Sequence, residues 1–251
     1  MIRVLLSGIC GAMGKVFLDA CSLREDMEVV AGVDLSQGET GGIPVYPAFC
    51  EVREQADILV DFSNPAALDS LYAFCVENSV PAVICTTGFT SGQETKIAEL
   101  SEEVPVFKSA NMSLGINLLA NLAKTAAGLL SPGFDIEIVE KHHRRKVDAP
   151  SGTAMMLAKE INSACSDSFH YVYERESARQ SRKADEIGIH SIRGGTIVGD
   201  HDIIFAGTDE VITLSHNASS RSVFATGAIA AALFLIKQPP GLYSMNDLIA
   251  S

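Results

Sequence analysis

The sequence predicts an α/β chain in two parts: a parallel sheet covered by helices on both faces, then an α+β part with a mixed, mostly antiparallel sheet. Three observations carry this. Short apolar runs alternate with helical patterns over the first hundred residues, glycines 8, 11 and 14 stand between the first strand and the first helix, and the rhythm changes after residue 113.

The first part reads element by element. Strands are expected at 2–7, 28–34, 57–62, 81–87 and 104–109, with helices over about 11–23 and 65–78 and a third before the last strand. The strands are apolar at successive positions, as parallel strands buried on both faces should be. Leu68, Leu71, Phe74 and Cys75 repeat at three- and four-residue spacing, which marks one face of a helix. After residue 113 a helix over about 114–130 leads into a strand at 134–141. There Phe134, Ile136, Ile138 and Glu140 alternate with Asp135, Glu137 and Val139. Ser151 has the character of an N-cap for a helix over about 152–164. A charged loop (about 165–185) precedes strands at 187–192, 202–207 and 210–216. The apolar helix from about 221 closes the chain and is expected to pack back on the first part, giving domains of 1–113 plus 221–251 and of 114–220.

Composition narrows the partners. The chain has 251 residues, 47% apolar and 20% charged, an ordinary globular composition. Nineteen Lys and Arg against 31 Asp and Glu give a formal charge of −12, which disfavours nucleic acid and anionic membranes as partners. Six cysteines without a CxxC pair fit a reduced, cytoplasmic setting. The opening MIRVLLSG runs straight into a strand, unlike an export signal, and 223–236 falls short of the roughly 20 residues that span a bilayer.

The turn SGICGAMGK places Gly8, Gly11 and Gly14 where a chain must turn tightly and where backbone N–H groups can approach a pyrophosphate at a helix start. Asp34 ends the second strand, where a carboxylate can accept hydrogen bonds from ribose hydroxyls. The spacing is GxxGxxG, with Cys10 at the usual middle glycine, so the triplet gains its meaning from the strand, helix, strand and acid around it. Together they predict a Rossmann-like dinucleotide domain. Asp34 is followed by Leu35 and Ser36, with no cation to meet a 2′-phosphate, so NADH is favoured over NADPH. Two later strand ends, Cys85–Thr87 and Ser109–Met112, lie at the carboxyl edge where ligands bind in such sheets.

In KHHRRKVDAPSGTA (141–154), Lys141, Arg144, Arg145 and Lys146 join His142 and His143 within six residues of an acidic chain. A charge run alone usually means a solvated face. Here Pro150, Ser151, Gly152 and Thr153 open a helix directly afterwards, and its N–H groups and hydroxyls favour an anion. Cations and helix start together can grip a carboxylate.

This run resembles the signature of the 4-hydroxy-tetrahydrodipicolinate reductase family, of lysine and diaminopimelate biosynthesis. The likeness extends over the chain, through SGICGAMGK, TTGF (86–89), Asn111 to Ser113, RGGTIVGDHDIIFAGTDEVITLSHNASSR (193–221) and GLYSMNDL (241–248). The resemblance implies an acid/base role for His142, a proton-donor role for Lys146, and substrate contacts from His143, Ser151, Gly152, Thr153 and Arg221. It implies nucleotide contacts from Gly8, Ile9, Cys10, Gly11, Ala12 and Met13, from Asp34, from Cys85, Thr86 and Thr87, and from Ser109, Ala110, Asn111 and Met112. It further implies NADH or NADPH as cofactor, a small dicarboxylate substrate, a homotetramer built through the second domain's sheet, and domain closure over the ligands. The chain departs from the family pattern at Cys85, where glycine is common, and near Ala12, where an arginine is common.

The remaining candidates are weaker. His170, His190, His201 and His216 lack ligand spacing, so no metal site is expected. Ser151 lacks the strand-turn-helix context of a hydrolase nucleophile and serves better as a cap, while Met155 and Met156 suit a core. Another amino- or keto-acid dehydrogenase would keep the glycine turn without needing the whole 142–153 constellation. A catalytically silent NAD-binding regulator would need no acid/base pair.

Overall fold

The computed structural model describes residues 1–36 and 40–251. In chain order its elements are β1 (Ile2–Ser7), α1 (Ala12–Ser22), β2 (Met27–Val33), β3 (Val45–Tyr46), β4 (Ile58–Asp61), α2 (Leu68–Asn78), β5 (Ala82–Ile84), α3 (Ser91–Glu103) and β6 (Pro105–Lys108). There follow α4 (Leu114–Leu130), β7 (Asp135–His142), α5 (Gly152–Ala164), β8 (His170–Val172), β9 (Glu186–Arg193), β10 (Gly199–Ala206) and β11 (Val211–Ala218). The chain closes with α6 (Ser222–Leu235), β12 (Gly241–Tyr243) and α7 (Met245–Ala250). Two compact units result, one of Met1–Leu114 with Arg221–Ser251, the other of Gly115–Ser220.

The first unit carries a seven-stranded sheet in the order β12-β6-β5-β4-β1-β2-β3, parallel throughout. Successive strand residues serve opposite faces, which is why these strands are apolar without a break. Val4, Leu6, Val60 and Phe107 join α1 and α6 in one core, whereas Leu5, Leu59, Ile84 and Val106 join α2 and α3 in the other. Strand order reverses direction around β1, where β2 pairs on one side and β4 on the other. The crevice at the carboxyl ends of those strands is where a doubly wound sheet accepts a ligand.

The second unit packs α4 and α5 against one face of a five-stranded sheet, order β11-β10-β7-β9-β8. Its core includes Ile136, Ile138, Ile189, Ile203 and Phe205 from the strands and Leu119, Ala123, Leu157 and Ile161 from the helices. The sheet is mixed, as the sequence predicts, but the pairings divide evenly. β10 runs antiparallel to β7 and β11, and β9 parallel to β7 and β8. The excess of parallel pairing comes from α5 and the following loop, which form a crossover between β7 and β9, and from β8 inside the charged 165–185 segment. β3, β12 and the short α7 also lie beyond the sequence reading. The opposite face of β7 carries a charge network: Glu137 accepts hydrogen bonds from Arg175, Arg182 and His190. Among the described residues no helix is long and apolar enough to cross a membrane.

Candidate active site

The glycine turn of the first unit has the geometry its composition suggests. Gly8 adopts φ +77°, and a Cβ there would lie 2.6 Å from the Phe62 carbonyl oxygen. A Cβ at Gly14 would lie 2.1 Å from the Gly8 oxygen, so only glycine lets α1 seat this closely against the turn. Gly11 is the N-cap of α1 and offers no side chain to the first-turn N–H groups. Those groups, from Ala12 to Gly14, have no acceptor within the helix. Ile9 is fully buried, so its side chain serves the core and only its backbone faces the turn. Asp34 braces the turn from β2: one carboxylate oxygen accepts the Cys10 N–H at 2.9 Å and the other the Ser36 N–H at 2.8 Å.

A cleft of about 490 Å³ opens beside this turn, lined by Ser7, Gly8, Gly11, Asp34, Ser36 and Asn64 among others. At the carboxyl end of β5, Thr86 has a buried hydroxyl without a hydrogen-bond partner among the described residues. Burial, assisted by the Asp61 carboxylate, pushes the neighbouring Cys85 thiol well above its ordinary range, so it packs as a protonated group. Thr87 and Ala110 are exposed, whereas Asn111 and Met112 are buried. The Ser109 hydroxyl donates to the Asn111 carbonyl, and Asn111 Oδ1 accepts the Ser113 N–H. Open helix start, glycine turn, acid and orphaned hydroxyl share the carboxyl edge of one sheet, and they fit a dinucleotide.

The second unit assembles a polar cluster at the ends of β7, β9 and β10. The inward face of β7 runs Ile136, Ile138, Glu140, His142, with Glu140 fully buried and His142 nearly so. Glu140 Oε2 accepts His142 Nδ1–H at 2.5 Å and Arg193 Nη1 at 2.8 Å. Glu140 Oε1 accepts Arg193 Nη2 at 2.7 Å and the Ser151 N–H at 3.1 Å. Burial alone would raise this carboxyl, but hydrogen bonds from Arg193, Ser191 and His142 override it and hold it at about 2. His201, opposite Glu140 on β10, meets the His142 ring edge to face at 5.3 Å, and its Nε2 lies 3.2 Å from the Ser151 hydroxyl. Burial, then the nearby His142, lowers His201 to about 4, so it is neutral at physiological pH.

After β7 the chain turns at once, with Lys146 N–H donating to the His143 carbonyl. Lys146 Nζ pairs with Asp148 at 2.9 Å, and that hydrogen bond holds the Asp148 carboxyl below its usual range. The Asp148 carbonyl in turn accepts Arg193 Nη2 at 2.6 Å, so the loop is fastened to the buried pair. His143 is half-buried, with Nδ1 unpartnered among the described residues, and Arg144 and Arg145 are exposed. Ser151 caps α5 by accepting the Ala154 N–H, and the helix then opens at Gly152, around whose absent side chain nothing lies within 4 Å.

The structure therefore gathers His142, His143, Lys146, Ser151, Gly152 and Thr153 on the second unit, and places Arg221, exposed, at the N-cap of α6 on the first. Three members of the cluster escape sequence reasoning about the site. Glu140 carries a visible signal, an acid on the apolar parity of a strand. Arg193 and His201 carry none, because β7 meets β9 and β10 only through tertiary pairing.

The family model described as dihydrodipicolinate reductase, N-terminus, matches residues 2–112, and that described as dihydrodipicolinate reductase, C-terminus, matches residues 115–249. The 4-hydroxy-tetrahydrodipicolinate reductase of Caldanaerobacter subterraneus is 51% identical over 249 residues, covering 99% of this chain and 98% of that protein. The protein of the same name from Clostridium tetani is 45% identical over 251 residues, 100% of this chain and 98% of its own. Among solved structures, dipicolinate-bound dihydrodipicolinate reductase from Paenisporosarcina sp. TG-14 superposes with a TM-score of 0.80 at 29% identity, covering 98% of this chain and 99% of the other.

Proposed function

Because the chain belongs to the dihydrodipicolinate reductase family, and so is an oxidoreductase acting on 4-hydroxy-tetrahydrodipicolinate in lysine and diaminopimelate biosynthesis, we propose a division of this work among its residues. A nicotinamide nucleotide is bound by the 8–13 turn, Asp34, Cys85–Thr87 and Ser109–Met112. NADH is preferred, since the Asp34 carboxylate repels a 2′-phosphate and no cation follows it. When bound, the nucleotide supplies the hydride that adds at ring C4 once the 4-hydroxyl has left as water.

The chain's own residues do the rest. The helix start at Ser151, Gly152 and Thr153, with His143, takes a substrate carboxylate, the helix dipole and imidazole offsetting its charge. Arg221 is a further substrate-side cation. As hydride arrives, C3 becomes electron-rich and takes a proton from the Lys146 ammonium. His142 passes protons and, when charged, steadies the developing negative charge. The second unit also forms a homotetramer through its sheet, whose outer strand β11 leaves Val211 63% exposed, and the enzyme works in the cytoplasm.

One observation carries this reading. An open helix start and two proton-bearing side chains stand at one end of the second unit's sheet, joined through the buried Glu140 and Arg193. To test it, the purified protein is coupled to the aldol synthase that makes the substrate, and absorbance of NADH and NADPH is followed separately. Turnover with NADH the better donor is expected, and Lys146→Ala should lower kcat by about 10²-fold or more. No turnover with either nucleotide would overturn it.

A further inference from the structure

Glu140 is an improbable choice for a packing residue. It follows Ile136 and Ile138 on the inward face of β7, ahead of His142, and its side chain is fully buried. A buried ion pair is weak evidence for stability, since apolar groups of similar shape serve as well or better. The pair with Arg193 therefore calls for a reason other than holding the sheet together.

That reason lies in how the carboxylate's acceptor positions are used. Arg193 approaches as a fork, one nitrogen to each oxygen, and fixes the carboxylate plane. Oε2 also receives His142 Nδ1 and Oε1 the Ser151 N–H, with the Ser191 hydroxyl a further donor to the carboxylate. An ionised carboxylate only accepts, so His142 must carry its proton on Nδ1. Nε2 is then the nitrogen that gains and loses a proton. Among the described residues it has no hydrogen-bond partner, and Gly199 keeps the space beside it open: a Cβ there would lie 3.1 Å away. His201 does not compete for that role, because its Nε2 is engaged with Ser151.

We propose that Glu140 is the positioning residue of this site, fixing the His142 tautomer so that Nε2 faces the ligand and tying that ring to the start of α5. This rests on the reading of His142 as the acid/base group. The one carboxylate sets the distance between the group that moves protons and the backbone that receives a substrate carboxylate, so both are preorganised together.

Glu140→Gln tests it. The Ser151 N–H is a fixed donor at the Oε1 position, so the amide oxygen settles there with Arg193 Nη2; that leaves the NH₂ facing His142 Nδ1, at the loss of one arm of the fork, and a donor there forces the proton onto Nε2. Histidine-labelled protein spanning residues 1–251 is followed by ¹⁵N–¹H correlation spectroscopy at a pH where the ring is neutral. Nδ1 protonated and Nε2 bare are expected in the wild type, the reverse in Glu140→Gln. With it, kcat should fall by about 10²-fold or more while KM for the dicarboxylate stays within about threefold, as when a base is held in the wrong tautomer. NADH affinity, read by fluorescence, should not change. A neutral wild-type ring protonated on Nε2 overturns the proposal, and that measurement needs no variant to fold. So does a Glu140→Gln protein with kcat within threefold of wild type, or one that loses kcat with its tautomer unaltered. His142→Ala separates the two readings. Retained kcat there overturns the acid/base reading and the positioning role with it, whereas a large loss there beside an unimpaired Glu140→Gln overturns the positioning role alone.

Discussion

Two buried titratable residues at the centre of the second unit's cluster make its stability depend on acid in separate steps. His201 is 3% exposed and is lowered from 6.5 to about 4 by burial first and by His142 second. As pH falls below 6.5 the unfolded chain therefore takes up this proton before the folded one, and unfolding is favoured. The contribution present above pH 6.5 is lost by about pH 4, a difference of about 3 kcal/mol from 1.36 kcal/mol per pH unit. His216, lowered chiefly by its own burial, acts in the same direction. Glu140 follows in the next window: its folded value near 2 lies below the ordinary 4.5, so its contribution is present above pH 4.5 and lost between there and about 2. Urea unfolding at half-unit pH steps should show both windows, and His201→Asn should flatten the first while leaving the second. An unchanged slope between pH 6.5 and 4 in that variant would assign the acid sensitivity elsewhere. At this scale the sequence makes the donors legible and the acceptor much less so. His142, His143, Lys146 and Ser151 are close in sequence, whereas Glu140 gains its meaning from Arg193, 53 residues later.

At the scale of elements, legibility follows length and the reach of the forces involved. The helices at 114–130 and 152–164 are read to the residue because their apolar periodicity is long and Ser151 caps the second in the expected way. β3, β8 and β12 have two or three residues each, too few for any periodicity, and exist because a neighbouring strand offers its edge. The glycine turn is the clearest case of sequence dictating an element, and its glycines have different work. At Gly14 an added methyl meets backbone atoms that cannot yield, the Gly8 oxygen at 2.1 Å and Ile9 Cα at 2.7 Å. Gly14→Ala should therefore cost about 3 kcal/mol or more, as overpacking does. Gly11 has an ordinary φ of −71°, and among the described residues a methyl there meets only the Gly8 oxygen at 3.1 Å. Gly11→Ala should remain within about 1 kcal/mol of wild type. Its methyl would nonetheless stand at the mouth of the helix start, and NADH affinity should fall about tenfold. Thermal melts beside fluorescence titrations check the contrast. Equal loss of stability in both variants would mean that Gly11, too, is there for packing.

For the whole molecule, the order of segments matters more than any single contact. The first unit is discontinuous: the chain leaves it after Leu114, builds the second unit, and returns at Arg221. The returning segment is a core component. Ala225, Ala228, Ile229, Ala231, Ala232 and Leu235 of α6 are all buried against one face of the parallel sheet, and β12 adds an edge strand to β6. Burying Ile229 and Leu235 contributes about 2 kcal/mol each and the alanines less, so losing α6 removes several of the 5–15 kcal/mol typical of a folded domain. The core of the second unit is built from α4, α5 and its own sheet. Deleting 221–251 should therefore abolish NADH binding and expose the amides of β1, β4 and β5 to rapid hydrogen exchange. Peptides spanning β7, β9 and β10 should stay protected in the same sample, because the segment between the two halves of the first unit carries a complete core. Uniform loss of protection would show that the second unit depends on the first for its fold, and protection retained across β1 and β4 would show that α6 is dispensable. The expected pattern assigns stability by tertiary core rather than by position along the chain.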